Sequence, residues 1–231
     1  MRSPKVRLPV EWTVQQRYLD PMTENSRSDE PSESAPPLPR SPELMRADDT
    51  LLMLIDVQPR LLAAQPDAKR IVWNCRRLLE AARDLGVHTL ATEQSPHKLG
   101  PTVAELADQL PTPPHAKDSF SAAAFADVAA QDESAGLNRM LLCGIETHVC
   151  VQQSACDLLA AGYQVAIAVD AVGSRFPIDH DTALRRLEGA GALLTTVEAA
   201  MFEWCEIAGT PQFKRVSELA KRQPDETGGL T

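Results

Sequence analysis

No apolar run in this chain approaches the roughly 20 residues that a membrane-spanning helix needs; runs such as 51–55 and 165–169 are typical of the longest. A soluble protein is expected. Positive charge is also scarce: 23 Lys and Arg face 32 Asp and Glu, for a formal net charge of −9 and a sequence pI near 5.1. That balance excludes an extended basic surface for gripping nucleic-acid phosphates, although a local basic groove stays open. Cysteines number five (75, 143, 150, 156, 205), with no CxxC pair. An odd count in a chain of this size argues against a disulfide framework. Reduced thiols and a cytoplasmic address are expected. Neither GxGxxG after the first strand nor GxxxxGK[ST] occurs, which removes the usual dinucleotide and nucleoside-triphosphate loops. Met1–Val10 carries Arg2, Lys5 and Arg7 but lacks an apolar segment, so a secretory signal is not expected and an organelle transit peptide is left open.

Length and composition suit one domain with a tail. Eight of the 18 prolines fall before residue 47, mixed with Ser, Glu and Asp. Such a segment buries too little apolar surface to offset its ordering entropy. We therefore expect a disordered extension over 1–46, with Val10–Trp12 the one stretch able to dock, a domain over 47–222, and a flexible tail over 223–231. Within the domain, short apolar runs alternate with helical periodicity, the mark of stacked βα units around a parallel sheet. Strands are read at 51–55, 87–91, 139–145, 164–169 and 192–196, and helices at about 67–85, 101–110, 121–134, 148–161, 179–190 and 198–208. Leu-Leu-Met-Leu-Ile and Val-Ala-Ile-Ala-Val do not alternate, as expected of strands covered on both faces. Gly86 and Gly162 sit where a left-handed helix cap wants glycine. The fold expected is α/β: a single-domain, mostly parallel, doubly wound Rossmann-like sheet of about six strands in the order 3-2-1-4-5-6, with helices on both faces.

Asp56 ends the first strand, and Cys150 follows the strand 139–145 at the opening of a helix. Both therefore lie at the carboxyl edge, where open α/β sheets bind ligands at the point of strand reversal. Asp56 alone could equally be a turn or cap aspartate. A thiol in the first helical turn feels the positive end of the helix dipole, which is expected to lower its pKa and populate the thiolate. The other four cysteines read as inert core residues.

Leu-Ile-Asp-Val-Gln (54–58), Thr-Glu-Gln (92–94) followed by Leu-Gly-Pro-Thr-Val (99–103), Lys-Asp-Ser-Phe-Ser (117–121) and Gly-Ile-Glu-Thr-His-Val-Cys-Val-Gln-Gln-Ser-Ala (144–155) together resemble the isochorismatase-like hydrolases. They occur in that family's order across nearly all of 47–222. Ala-Val-Asp-Ala-Val-Gly-Ser-Arg (168–175) and Gly-Ala-Leu-Leu-Thr-Thr-Val-Glu (191–198) extend the likeness toward the branch of isochorismatase domain-containing proteins.

The resemblance implies a catalytic trio of Asp56, Lys117 and Cys150, although Lys117 by itself would read as a surface lysine. It implies attack of the Cys150 sulfur on an amide-type carbonyl, Asp56 moving the proton, Lys117 holding Asp56, and an oxyanion held by the backbone N–H groups of Glu146 and Cys150. It also implies a cis peptide between Ile145 and Glu146. Family members that cleave a vinyl ether lack this cysteine, so C–N hydrolysis of a small amide is the expected reaction. Gln58, Glu93, Phe120 and Thr147 are candidate substrate contacts. The nicotinamidase metal motif, Asp-x-His-x-x-His, has no counterpart at 92–98, which reads Thr-Glu-Gln-Ser-Pro-His-Lys; His97 is read as a loop residue and His148 as a neighbour of the nucleophile, so no metal and no cofactor are expected. A homo-oligomer without nucleic-acid or membrane partners is expected. The alternatives are a nuclease-like enzyme, since a protozoan mitochondrial relative has been described as a ribonuclease, and a non-catalytic interaction protein on the same fold.

Overall fold

The computed structural model describes residues 39–126 and 136–224. Val10–Trp12, most of the polar extension, the end of the helix read at 121–134 and the last seven residues lie outside the described residues.

Six parallel strands form one sheet: β1 Thr50–Ile55, β2 His88–Gln94, β3 His115–Lys117, β4 Arg139–Ile145, β5 Gln164–Gly173 and β6 Leu193–Thr195. Their order is 3-2-1-4-5-6, so the chain reverses direction between β1 and β4. The sequence-based order and class are therefore those observed. All six residues of β1 are buried, because alternate side chains feed two cores. Leu52 and Leu54 face one core, with Cys143 and Ala166; Leu51, Met53 and Ile55 face the other, with Met140, Leu142 and Ile167. The first core is closed by helix α2 (Ala68–Leu85) and by the helices Val197–Cys205 and Pro211–Lys221; the second takes residues from Gln152–Ala160 and Pro177–Gly189. Short helical turns at α1 (Pro59–Leu62), α3 (Pro96–Leu99) and α4 (Ala104–Ala107) fill the loops on the β2 and β3 side. We number the four later helices α5 (Gln152–Ala160), α6 (Pro177–Gly189), α7 (Val197–Cys205) and α8 (Pro211–Lys221).

Two departures from the sequence reading matter. The helix expected over 101–110 shrinks to α4, since prolines, glycine and polar residues flank it. And residues 40–46, read as part of the disordered extension, lie against the body: Met45 is 2% exposed within the first core, its N–H donates to Glu203 Oε2 at 2.8 Å, and Arg139 donates to the carbonyls of Pro42 and Glu43. A buried apolar side chain and a buried guanidinium needing acceptors hold the segment down, contacts that its Pro/Ser/Glu composition concealed.

One glycine is dictated by the β1–β4 pairing. At Gly144, with φ +115, an added Cβ would lie 2.1 Å from the Ile55 carbonyl oxygen. Only a residue without Cβ lets the two strands approach here, directly ahead of the turn that bears Cys150. Among the described residues no helix is long and apolar enough to cross a membrane.

Candidate active site

Three strand ends converge on one carboxylate. Asp56 follows β1 in the left-handed region, at φ 54, a conformation that Asp tolerates better than most side chains. Its N–H donates to the Thr92 carbonyl at 3.1 Å. The carboxylate has no solvent exposure. Its Oδ1 accepts the Thr92 hydroxyl at 2.8 Å, and its Oδ2 accepts Lys117 Nζ at 2.6 Å. Lys117 closes β3 in register with Gln94. Its ammonium also reaches Gln94 Oε1 at 2.9 Å and the carbonyls of Ser119 and Phe120 at 3.2 and 3.0 Å. Such a cage of acceptors is what a buried ammonium requires.

Cys150 approaches from the other side of the strand reversal. The peptide Ile145–Glu146 is cis, and the chain then enters a π-helical turn, Thr147–Val151, that runs into α5. Cys150 is 5% exposed and its thiol lies beside the Asp56 carboxylate, close enough to feel its charge. Its pKa is pushed up to about 12, first by burial and then by the negative charge of Asp56; Lys117 and the backbone of Glu146 oppose this without reversing it. This corrects the expectation of a thiolate created by the helix terminus. Desolvation and an adjacent carboxylate outweigh the dipole and the lysine, so the resting group is a thiol beside a base.

The carbonyl oxygens and side chains around this trio settle where the other sequence candidates sit. Gln58 is fully buried and its amide is taken up by backbone: Nε2 donates to the Gln94 and Gly100 carbonyls at 3.1 and 2.6 Å, and Oε1 accepts the Gln94 N–H at 2.8 Å. Glu93 Oε1 accepts the N–H and hydroxyl of Thr102 at 2.6 and 2.9 Å. Both residues brace loops and have these polar atoms committed. The Thr147 hydroxyl pairs with His180 Nδ1 at 3.0 Å. Phe120 gives Lys117 its carbonyl and is itself 52% exposed. Glu146 turns its carboxylate toward Gln65 Nε2 and the Arg175 backbone and Nε, at 3.0, 3.1 and 3.1 Å, which anchors the turn. His148 contacts Ser174 Oγ at 3.0 Å, away from the trio's hydrogen bonds, and His97 is exposed on α3. Among the described residues no group of three or more His, Cys, Asp or Glu is arranged to hold a metal.

Thr92 and Gln94 are the residues that sequence reading passed over. Both belong to the quoted Thr-Glu-Gln, but the charged Glu93 drew attention. Strand periodicity holds the missed signal: 92 and 94 share one face, and 93 points the other way.

A family model described as Isochorismatase domain matches residues 50–199. Isochorismatase domain-containing protein 2 of Bos taurus is 42% identical over 162 residues, covering 70% of this chain and 78% of that protein. The solved MAR1 ribonuclease of Caenorhabditis elegans superposes with a TM-score of 0.73 at 35% identity, covering 81% of this chain and 97% of that one. The YcaC gene product of Escherichia coli, described as an octameric hydrolase of unknown specificity, shares the fold with a TM-score of 0.70 at 24% identity, over 78% of this chain and 91% of that one.

Proposed function

The chain belongs to the isochorismatase family, and from that premise we propose that it is a hydrolase whose Cys150 attacks the carbonyl of a small amide-type substrate and cleaves its C–N bond through a thioester. The observation that carries this reading is the placement of the Cys150 thiol beside a carboxylate, Asp56, that Lys117 holds at 2.6 Å. A thiol held near pKa 12 is almost wholly protonated at neutral pH, so attack needs a neighbouring base, and Asp56 is the carboxylate beside it.

In the first step the sulfur forms a bond to the carbonyl carbon while Asp56 takes the thiol proton. The backbone N–H groups of Glu146 and Cys150 bind the oxyanion. Collapse breaks the C–N bond, and Asp56 hands its proton to the departing nitrogen. Water then attacks the thioester with Asp56 again as base, releasing the acid and restoring the thiol. Lys117, held by four acceptors, fixes Asp56 and offsets its charge. The two halves sum to amide plus water giving acid plus amine or ammonia.

The reading as a metal-independent enzyme rests on residues 92–98, which supply one histidine and no spaced partner. A homo-oligomer, a cytoplasmic address and a domain that runs from near residue 40 to near 222 are part of the same proposal; the octameric E. coli protein supports the first. A screen of small amides for ammonia or amine release, run beside Cys150→Ala, tests the reaction. Release by the parent and not by the variant is expected. The name carried by the C. elegans structure favours ribonuclease activity as a second reading; RNA cleavage that persists in Cys150→Ala would establish it over ours.

A further inference from the structure

Four groups lie outside the trio yet join its two halves. Ser154, one turn after the nucleophile on α5, has no solvent exposure. Its hydroxyl donates to the Cys150 carbonyl at 2.6 Å and accepts the Ala122 N–H at 2.8 Å. Ala122 ends the loop whose Ser119 and Phe120 carbonyls hold Lys117. A helical serine commonly bonds back to the carbonyl four residues earlier; here the same oxygen also captures a donor from a different part of the fold. Hydrogen bonds thus run from Asp56 through Lys117, the loop 119–122 and Ser154 to the backbone of Cys150, whose thiol lies beside Asp56.

We infer that Ser154 is a positioning residue: it ties the loop that cages Lys117 to the helix that bears Cys150, and so sets the thiol against the Asp56 carboxylate. The inference rests on the reading of Cys150 and Asp56 as nucleophile and base. Among the described residues no other side-chain hydrogen bond joins residues 117–122 to the turn or to α5. Without the hydroxyl, the Ala122 N–H would lose its acceptor in a buried place, and loop and helix would each relax along separate paths. A displacement of the order of 1 Å between sulfur and carboxylate is enough to slow proton transfer severely.

The test uses iodoacetamide on the full chain at pH 7.5, with labelling followed peptide by peptide. Alkylation joins sulfur to carbon and expels iodide, and the thiol proton must leave to a base. Half-buried Cys156, on the same helix, is the internal reference. Wild-type Cys150 should label faster than Cys156. Ser154→Ala should slow Cys150 labelling by about 10- to 100-fold while Cys156 is unchanged. Ser154→Thr and Ser154→Val have nearly equal volume and differ in the hydroxyl, so the threonine variant should label faster than the valine one, a comparison that stands even if the alanine variant does not fold. A merely structural role predicts the opposite sign, because a loosened helix exposes the thiol: unchanged or faster Cys150 labelling in Ser154→Ala, or equal rates in the Thr and Val pair, overturns the inference alone. If wild-type Cys150 labels no faster than Cys156, the nucleophile–base reading itself fails.

Discussion

Lys117 Nζ lies 2.6 Å from Asp56 Oδ2, with side-chain exposures of 1% and 0%. Two opposite charges taken this far from water are stable only while each has the other and a full set of hydrogen bonds. The site meets that condition with Thr92 on the carboxylate and with Gln94 and two carbonyls on the ammonium. The pair is thus a structural element as well as a chemical one.

Removing one partner should therefore cost stability along with activity. Lys117→Ala and Asp56→Ala are each expected to destabilise the fold by about 3–5 kcal/mol, measured by urea unfolding. Asp56→Asn should cost less than Asp56→Ala, since asparagine accepts the left-handed backbone at this position and keeps one carbonyl acceptor for Lys117, while its amide N–H can donate to the Thr92 hydroxyl. It should still abolish turnover, because an amide cannot take the thiol proton.

Thr92→Val keeps the shape of the side chain and leaves Asp56 Oδ1 without its hydroxyl donor. We expect a loss of about 1–3 kcal/mol in stability and a fall in kcat of roughly 10- to 100-fold, with KM little changed. A fall in KM-dependent binding alone would place Thr92 at the substrate.

Sequence gave a clear view of the apolar strands and a poor view of everything short or polar. Leu51–Ile55 and Val165–Val169 read as buried strands because helices cover both faces. His115–Lys117 could not be read as a strand: it has three residues, two of them polar, and it earns its place in the sheet by pairing with β2. Helix α8 was also passed over, although Thr210 caps it by accepting the Phe213 N–H and Val216 and Leu219 give it a buried face. In the site, Asp56, Lys117 and Cys150 were legible through motif order. The ionisation of Cys150 was not, because burial and a neighbouring carboxylate are properties of the folded crevice.

The raised Cys150 pKa has a consequence for alkaline stability. A thiol whose pKa climbs on folding from the ordinary 9.0 to about 12 contributes stability that is fully present below pH 9 and is lost as pH rises toward 12. Wild type should therefore lose a few kcal/mol relative to Cys150→Ser across that window, at about 1.4 kcal/mol per pKa unit. Unfolding both proteins in urea at pH 8, 9, 10 and 11 checks this; parallel curves would show that the thiol is not buried beside a carboxylate.

Removing residues 1–46 should lower the melting temperature by several degrees more than removing 1–38. The added eight residues carry Met45 and the carbonyls that satisfy Arg139, and a buried guanidinium without acceptors is costly. Equal melting points for the two truncations would show that these contacts contribute nothing.

The central claim is that carbon becomes bonded to the sulfur of Cys150 during turnover. Acid quenching of the enzyme during turnover of an amide identified by the release screen, followed by intact-mass and peptide analysis, tests it directly. We expect a mass increase equal to the acyl part of the substrate, located on Cys150, labile to hydroxylamine and missing from Cys150→Ser. Undiminished turnover by Cys150→Ser, or an acyl group found only on another residue, would contradict the account.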